Sequence, residues 1–598
     1  MIGINMLAKF RFYILLVGSS AIIFLVLYKT LNGEQDVEST NKVNKVQTPK
    51  KLRPMENIND LMPVTQPHYH MEHQKLREAE VHARINQNIR RSTQLKRDNL
   101  NFANKIESFK SLTNGERNQP DTSFLLHKIV HLDLKGAPPT INYYSQLFPL
   151  LHSLGATGLL IEYEDMLPYW EPIETLSAHN AYSKNQIEQL LRLAQLNKLE
   201  VIPLIQTFGH MEFVLKQIKY QQLREVPLYP QVICPSQNNS KILLTHMIDQ
   251  IISLHPGIKW LHIGCDEVYY IGQCDLCQHR MTTKQMNSDL LFLEHVKFVA
   301  QYVKSKHNVQ PIMWDDMFRH VSSDIIQASE IWKYVEIMVW QYGPNIEAKL
   351  TQEIWEKYQL MFSGIWVASA FKGATGPNQF LTNISYHLEN HHSWMNFLQT
   401  FHKKIPLRGI ILTGWQRYDH FAVLCELLAA AIPSLAADLL YLKDGFLDQN
   451  KLHDILHCNG DLILSGNYTF DEVICNYPGG KVFKGMQRLQ QLKHQIMKMM
   501  KDNHVVGWMS DYNIQMSFSS PAHVELGMRK LGEIQTNATL LYTFMQNIMP
   551  EVYDKYTIDE WLQTYMDPIM LQLENLSNTA QKLLKYSAWP RRPLNSNE

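Results

Sequence analysis

Eight apolar runs rich in β-branched and aromatic residues alternate with longer helix-compatible segments between about residue 126 and residue 420. This alternation is typical of βαβ units, in which helices join parallel strands. Eight such units predict a (β/α)8 TIM barrel, an α/β fold of about 250 residues or more. The predicted strands cover residues 129–134, 158–163, 199–207, 260–264, 310–314, 336–341, 360–367 and 408–414.

The fourth run leads into two adjacent carboxylates, Asp266 and Glu267. Neighbouring carboxylates repel when both are ionised, so one keeps its proton to a higher pH, as a general acid near neutrality requires. Because side chains alternate between the faces of a strand, Glu267 must lie where the pleat breaks, at the strand end. Parallel barrels place catalytic groups there. An isolated Asp-Glu pair is more often an exposed turn, but in this setting the pair predicts hydrolysis of a sugar.

Polar and aromatic residues also follow the other predicted strands. In a barrel the carboxyl ends of all strands form one rim, so these residues are expected to converge on a single pocket. Taken one at a time, most of the Trp and His residues would be packing residues. Besides the acid pair, the rim residues include Asp133, Lys135, Glu162, Glu164, His210, Trp314, Asp316, Trp340, Tyr342, Trp366, Trp415, Tyr418 and Asp419.

Residues 12–28 form an uncharged apolar run that is just long enough to cross a bilayer as a helix. No small-residue cleavage site clearly follows it, so a retained signal anchor is favoured over a cleaved signal peptide. Basic residues precede the run and acidic residues follow it, which indicates a cytoplasmic tail at 1–11 and a lumenal remainder. Residues 29–120 would form a partly helical stem. The prediction is a single-pass type II membrane protein, in the Golgi.

Five N-x-S/T sequons agree with a lumenal location, since such sites are used in the secretory pathway. They lie at Asn238, Asn383, Asn467, Asn537 and Asn575. The formal net charge is zero, with 57 basic and 57 acidic residues, so no nucleic-acid partner is expected.

The remaining segments fall on either side of the barrel, which is predicted to cover residues 121–430. Residues 431–598 become mainly helical, which indicates a C-terminal helical region. Residues 71–110 are charged and helix-prone, without a sustained heptad, so an amphipathic helix is favoured over a coiled coil. Self-association through this segment would give a homodimer.

The chain has seven cysteines, an odd number that leaves at least one thiol unpaired in a monomer. Cys458 and Cys475 could close a short lumenal loop. Cys274 and Cys277 could form a strained disulfide or half of a zinc site, but no second Cys/His pair stands at zinc spacing. A structural role is favoured for this pair, and no metal ion is predicted.

Six motifs together resemble family 20 glycoside hydrolases, over residues 125–430. The resemblance implies removal of terminal β-linked N-acetylglucosamine or N-acetylgalactosamine from glycans, by a retaining route in which the substrate's acetamido group is the nucleophile. It implies no metal or organic cofactor. The motifs cover residues 130–139 (VHLDLKGAPP), 160–165 (LIEYED), 206–210 (QTFGH), 262–267 (HIGCDE), 314–317 (WDDM) and 414–419 (GWQRYD).

The resemblance also assigns roles to residues of this chain. Glu267 would protonate the leaving oxygen and later activate water, while Asp266 would orient the acetamido N–H and stabilise the oxazolinium intermediate. His210 would support the acid. The aromatic residues expected to enclose the acetamido group and the sugar ring are Trp314, Trp340 and Trp415.

Two positions depart from the family pattern. Lys135 and Gly136 stand where relatives carry an arginine for sugar hydroxyls, and residues 369–372 (SAFK) replace a tyrosine and an aspartate. The candidates for the missing contacts are Tyr342, Tyr418, Glu164 and Asp419.

The alternative to an enzyme is a membrane-anchored glycan-binding pseudoenzyme or scaffold without turnover. The alternative location is nucleocytoplasmic, as for a family member that lacks a membrane span.

Overall fold

The computed structural model describes residues 121–460, Leu462 and residues 472–594. Eight parallel strands close into a barrel, in which the first strand pairs with the second on one side and with the eighth on the other. The prediction of a (β/α)8 barrel is confirmed. The strands are β1 His127–Asp133, β2 Gly158–Glu162, β3 Glu200–Leu204, β4 Trp260–His262, β5 Gln310–Trp314, β6 Glu336–Trp340, β7 Ile365–Lys372 and β8 Leu407–Gly414.

The seventh strand starts and ends about five residues later than predicted. Leu360, the first residue of the predicted strand, belongs to the helix that precedes β7 and is 84% exposed. The strand itself is buried along its whole length, including Ser369 and Lys372. Small and polar residues there lowered its apparent hydrophobicity, so the sequence pattern placed the strand too early.

Eight helices follow the eight strands around the outside of the barrel. Short helices at Glu212–Leu215 and Asp275–Lys284 lie in the connections after β3 and β4. The surrounding helices are α1 Ile141–Leu154, α2 Lys184–Leu196, α3 Asn238–Leu254, α4 Ser288–His307, α5 Ser323–Ser329, α6 Gln352–Met361, α7 Ile384–Phe401 and α8 Leu428–Asp444.

Local chemistry sets several of these helix ends. Ser183 and Gln186 form a capping box at the start of α2. Gly155 ends α1 in the left-handed region, at φ 100°. These caps satisfy backbone groups that have no partner within a helix.

The barrel interior is a packed core and does not form a channel. Inward-facing side chains from alternating strands fill it, as in other barrels of this size. Any large cavity must therefore lie at one end of the strands. The interior cluster contains Ile129, Leu160, Ile202, Leu204, Ile312, Trp314, Met338, Trp366, Ala368 and Ile411.

The C-terminal region is helical, and it packs against the barrel. Arg417, after β8, makes a bidentate ion pair with Glu560 at 2.9 Å for each bond, and the Tyr565 hydroxyl donates to Leu424 O at 2.5 Å. Helix α8 extends past residue 430, where the barrel was predicted to end. The C-terminal helices are α9 Gln449–Leu456, α10 Gly480–Met500, α11 Asn503–Trp508, α12 Asp511–Gln515, α13 Pro521–Met528, α14 Leu531–Ile548, α15 Lys555–Tyr565 and α16 Asp567–Leu584.

Several N-terminal predictions lie outside the described residues. They are the cytoplasmic tail at 1–11, the anchor at 12–28, the stem at 29–120 and the self-association helix at 71–110. Within the described part of the chain, every helix is too short or too polar to cross a membrane. Cys458 and Cys475 form a disulfide.

Candidate active site

A cavity of about 230 Å³ opens at the carboxyl ends of the barrel strands. Small-molecule sites commonly occupy about 300 to 1,000 Å³, so this cavity lies just below the small end of that range. Its walls combine charged and aromatic side chains from the loops after most of the strands. The lining residues are Lys135, Glu162, Gln206, His210, Asp266, Glu267, Trp314, Trp340, Tyr342, Gly373, Ala374, Trp415 and Tyr418.

Both members of the acid pair line this cavity, although they are adjacent in sequence. Strand β4 ends at His262, and the backbone then enters the left-handed region at Gly264 (φ 68°), Cys265 (φ 69°) and Glu267 (φ 50°). A Cβ at Gly264 would collide with the side chain of Gln206, so glycine is required there. The pleat therefore breaks before the acids, as the sequence pattern required, and both carboxylates turn towards one space.

His210 links the two acids. Its Nε2 lies 3.1 Å from Glu267 Oε2 and 3.5 Å from Asp266 Oδ2. Burial alone would lower the pKa of His210, but the carboxylates of Asp266, Glu267 and Glu212 raise it to about 10. At neutral pH the site therefore holds an imidazolium against the acid pair.

The acid that loses its proton most easily is Glu267. The hydrogen bond from His210 lowers the pKa of Glu267, and a bond from the Tyr269 hydroxyl at 2.8 Å adds to this effect. Burial raises the pKa of Asp266 above its usual value. We expected the acid pair to supply a general acid with a raised pKa, with Glu267 in that role. In the free site it is the pKa of Asp266 that is raised, while the pKa of Glu267 is lowered because His210 and Tyr269 both donate to it.

Asp316 holds the loop that carries the acid pair. Its Oδ2 accepts from the backbone N–H of Glu267 at 2.9 Å, and its Oδ1 accepts from the indole N–H of Trp340 at 3.3 Å. Burial and the nearby Asp266 raise the pKa of Asp316 to about 7. One side chain thus fixes both the loop that carries the acid and a wall of the cavity.

Aromatic rings form that wall. Trp340 stacks on Tyr342 with ring centroids 5.1 Å apart, and Trp415 lies 5.9 Å from Trp314. The guanidinium of Arg319 lies 5.0 Å from the centroid of the Trp340 ring, and this cation–π interaction holds the ring in place. A dry aromatic wall strengthens charge interactions inside the cavity.

The polar floor of the cavity centres on Lys135. Its ammonium lies 3.1 Å from Asp133, 3.3 Å from Glu162 and 3.5 Å from Glu164. Burial would lower the pKa of Lys135, but these carboxylates raise it well above its usual value. Lys135 and His131 in turn hold the pKa of Glu162 well below its usual value, against the effect of burial. The floor therefore carries full charges of both signs.

Eight of the ten predicted site residues line the cavity, and Glu164 and Asp419 do not. Glu164 is buried beside Lys135 and accepts from the ring of His420. The Asp419 carboxylate accepts from the backbone N–H groups of Phe421 and Ala422, at 2.7 and 2.8 Å. Position at a strand end was the signal for both residues, but it does not report which way a side chain turns.

Five lining residues were not among the predicted substrate contacts. Lys135 and Glu162 had been placed at the rim by their positions, and Gln206 belongs to one of the family-like motifs. Gly373 and Ala374 had no usable signal, because the seventh strand was placed too early and they directly follow its true end.

We predict that His210→Asn loses stability in a pH-dependent way. Asparagine tolerates the left-handed backbone at this position (φ 50°). Because the folded pKa of His210 is raised from 6.5 to about 10, its contribution is complete below pH 6.5 and is lost as the pH rises through about 10. The loss in unfolding free energy should therefore be largest below pH 6.5, on the order of a few kcal/mol.

Urea unfolding of both proteins across this pH range measures the effect. His494→Asn is the control, since its side chain is exposed on α10. A stability difference for His210→Asn that stays constant or grows with pH would contradict the ion pair.

The sequence of this chain matches a known protein family. Residues 141–363 match the family model described as glycosyl hydrolase family 20, catalytic domain. The chain is 39% identical over 470 residues to hexosaminidase D of Homo sapiens, covering 78% of this chain and 96% of that protein. It is 48% identical over 328 residues to hexosaminidase D of Bos taurus, covering 54% and 94%. Among solved structures, an exo β-N-acetylglucosaminidase from Vibrio harveyi matches at a TM-score of 0.40 and 16% identity, over 62% of this chain and 58% of that one.

Proposed function

The chain belongs to glycosyl hydrolase family 20 and is a β-N-acetylhexosaminidase similar to hexosaminidase D, and we propose that Asp266 and Glu267 carry out its reaction by a retaining, substrate-assisted route. The family resemblance drawn from the six motifs is thereby confirmed. The substrates are glycans that end in β-linked N-acetylglucosamine or N-acetylgalactosamine. The enzyme removes that terminal sugar, and the small volume of the cavity, about 230 Å³, supports this exo-acting mode.

One observation carries this proposal. Asp266 and Glu267 face the same cavity with His210 between them, and Asp266 Oδ1 is buried without a hydrogen-bond partner in the described part of the chain. An unpaired buried carboxylate oxygen is costly unless a donor reaches it. The N–H of a bound acetamido group is such a donor.

In the first step the acetamido carbonyl oxygen forms a bond to the anomeric carbon while the glycosidic bond to the leaving oxygen breaks. Glu267 gives its proton to that oxygen. Glu267 is ionised in the free site, so the proton must first reach it. Glu267 takes up this proton from solvent when the bound sugar buries it further, because burial raises the pKa of Glu267.

The second step opens the oxazolinium ring. Glu267 takes a proton from a water molecule whose oxygen attacks the anomeric carbon, and the bond to the acetamido oxygen breaks. Asp266 stabilises the positive charge of the intermediate between the two steps, and it can do so only when it is ionised. Two inversions at one carbon leave the β configuration unchanged.

The aromatic wall would hold the acetamido group in position to attack. Trp314, Trp340 and Trp415 enclose the methyl group and the sugar face, and the indole N–H of Trp314 is buried without a partner among the described residues. Tyr342 is half-buried at the same wall, and we assign its hydroxyl to the acetamido carbonyl. It replaces the tyrosine that relatives carry after β7.

The sugar hydroxyls would meet the polar floor and the outer rim. Lys135 and Glu162 offer a donor and acceptors where relatives use an arginine, and Tyr418 lies at the mouth, 43% exposed. Glu164 acts through Lys135, because it lies behind the ammonium. Asp419 shapes the loop that presents Tyr418.

Substrate assistance predicts that the acetamido group is essential. We expect hydrolysis of aryl β-N-acetylglucosaminides and β-N-acetylgalactosaminides, and a rate at least about 10³-fold lower for the aryl β-glucoside, because an intramolecular nucleophile replaces a bimolecular step. Release of the aryl group measures the rates, and proton NMR identifies the anomer formed first. The account predicts the β anomer; rapid hydrolysis of the glucoside, or the α anomer first, would contradict it.

The cellular location is also a proposal. Residues 12–28 would anchor the chain as a type II membrane protein with its barrel in the Golgi lumen, and self-association through residues 71–110 would give a homodimer. The Cys458–Cys475 disulfide suits an oxidising compartment. Exposed sequon asparagines at Asn238, Asn383 and Asn575 also support it. A nucleocytoplasmic location is the alternative.

A further inference from the structure

Four potential metal ligands meet behind the loops that follow β3 and β4. They are Glu225, Cys234, Cys274 and Cys277, and their ligand atoms all lie within 4.8 Å of one another. None of the four lines the active-site cavity. We propose that these side chains bind one zinc ion in a closed structural site.

The spacing of the sulfur atoms suits a shared metal ion. Cys234 Sγ lies 3.4 Å from Cys274 Sγ and 3.6 Å from Cys277 Sγ. Tetrahedral zinc with bonds of about 2.3 Å holds its sulfur ligands about 3.8 Å apart. A disulfide needs sulfurs about 2.0 Å apart, and all three cysteines are free.

Glu225 supplies the fourth ligand, and its buried carboxylate would be stabilised by a nearby cation. It is fully buried, and its Oε1 accepts from the backbone N–H groups of Gln273 at 2.6 Å and Cys274 at 3.1 Å. Its Oε2 points to Cys277 Sγ at 3.2 Å. No ion pair within residues 121–460 and 472–594 includes Glu225. A buried carboxylate is stable when a cation pairs with it, and zinc does so here.

Hydrogen-bonding groups surround two of the sulfur atoms at this site. Cys274 caps the helix Asp275–Lys284 and Cys277 lies in its first turn, where the helix dipole stabilises negative charge. The backbone N–H of Cys277 donates to Cys274 Sγ at 3.4 Å, and Ser236 Oγ lies 3.0 Å from Cys277 Sγ. Hydrogen bonds of this kind orient metal ligands and tune their charge.

The spacing of the four ligands along the chain does not match a zinc-binding motif. Cys274 and Cys277 have the two-residue gap of a zinc half-site, but Cys234 stands 40 positions before Cys274 and is not part of a pair. The fourth ligand is a glutamate on the strand Arg224–Val226, which pairs with Tyr229–Ile233. The prediction of no metal ion relied on the absence of a second Cys/His pair at zinc spacing. In the fold, Glu225 and Cys234 take the place of that pair.

A zinc ion here would join two loops of the active site. The strand Tyr229–Ile233 is hydrogen-bonded to the His210 loop through Met211 N to Gln231 O at 2.9 Å and Ile233 N to Phe208 O at 3.1 Å. The helix that starts after Cys274 follows the loop that carries Glu267. The ion would thus fix the loop of the histidine relative to the loop of the acid.

The test is the metal content of the full-length protein, purified under reducing conditions without added zinc. We expect about one zinc per chain by plasma mass spectrometry, and less than about a tenth of that in Cys277→Ser, because a structural site needs all four ligands. Cys425→Ser is the matched control, since this buried free cysteine lies outside the cluster, and it should retain the metal.

A second measurement does not depend on whether the variant folds. Wild-type protein reloaded with Co²⁺ should show thiolate-to-cobalt charge transfer and the visible bands of a tetrahedral site. Wild-type protein without zinc and without such a spectrum would overturn the proposal. So would a disulfide between any two of Cys234, Cys274 and Cys277 in peptide mapping, or zinc retained at the wild-type level in Cys277→Ser. None of these readouts depends on hydrolase activity.

Discussion

Glu267→Gln is expected to lower kcat for an alkyl β-N-acetylglucosaminide by about 10² to 10⁴-fold, the usual contribution of a general acid. Glutamine keeps the size of the side chain and still accepts from Tyr269, but it cannot give a proton to the leaving oxygen. An alkoxide leaves poorly without that proton. An activated aryl group leaves more easily, so the same variant should lose less on aryl substrates in the first step.

Initial rates on matched alkyl and aryl substrates measure this difference. Glu188→Gln is the control, because that side chain is exposed on α2, away from the cavity. Equal rates for wild type and Glu267→Gln would remove Glu267 from the mechanism. Sugar binding without turnover in the wild type, across several leaving groups, would instead favour the glycan-binding pseudoenzyme.

Asp266→Asn should cost about 10² to 10³-fold in kcat on both substrate types, as removal of a preorganised electrostatic contact does elsewhere. The amide has the size of the carboxylate but no charge to balance the oxazolinium. Its NH2 group can also turn towards the acetamido N–H, which is repulsive. The loss should not depend on the leaving group, because the missing stabilisation acts at the ring that forms.

This independence separates the roles of the two acids. Steady-state kinetics of both variants on the same pair of substrates makes the comparison. A loss in Asp266→Asn that follows leaving-group basicity would mean that Asp266 acts on the leaving oxygen. Retention of wild-type kcat would mean that it does not act in the reaction.

The barrel and the acid pair could be predicted because both depend on local patterns. Alternating strands and helices fix the topology, and the end of β4 fixes where Asp266 and Glu267 must lie. The aromatic wall followed from the same rule, since Trp314, Trp340 and Trp415 all stand at or just beyond strand ends. Most side chains that share this rim meet at the cavity, because the strand ends that carry them lie close together.

Other properties of the site depend on contacts between distant segments. The pKa of Glu267 is lowered by His210, which lies 57 positions away in the sequence. The adjacency of Asp266 and Glu267 alone predicts a raised pKa for one of the two acids. Glu164 turns behind Lys135 because His420, 256 positions later, holds it there. The Cys-Glu cluster likewise needs a hairpin and a helix to meet. Such orientations follow from packing, which the order of residues does not display.

The most direct test is the affinity of a thiazoline analogue of N-acetylglucosamine, which mimics the cyclic intermediate, measured by calorimetry. We predict competitive binding to the wild type at least about 10²-fold tighter than for N-acetylglucosamine, as for other analogues of high-energy states. Asp266→Asn should lose most of this advantage, while Glu267→Gln should keep it. Equal affinity of wild type and Asp266→Asn for the analogue would contradict an acetamido nucleophile stabilised by Asp266.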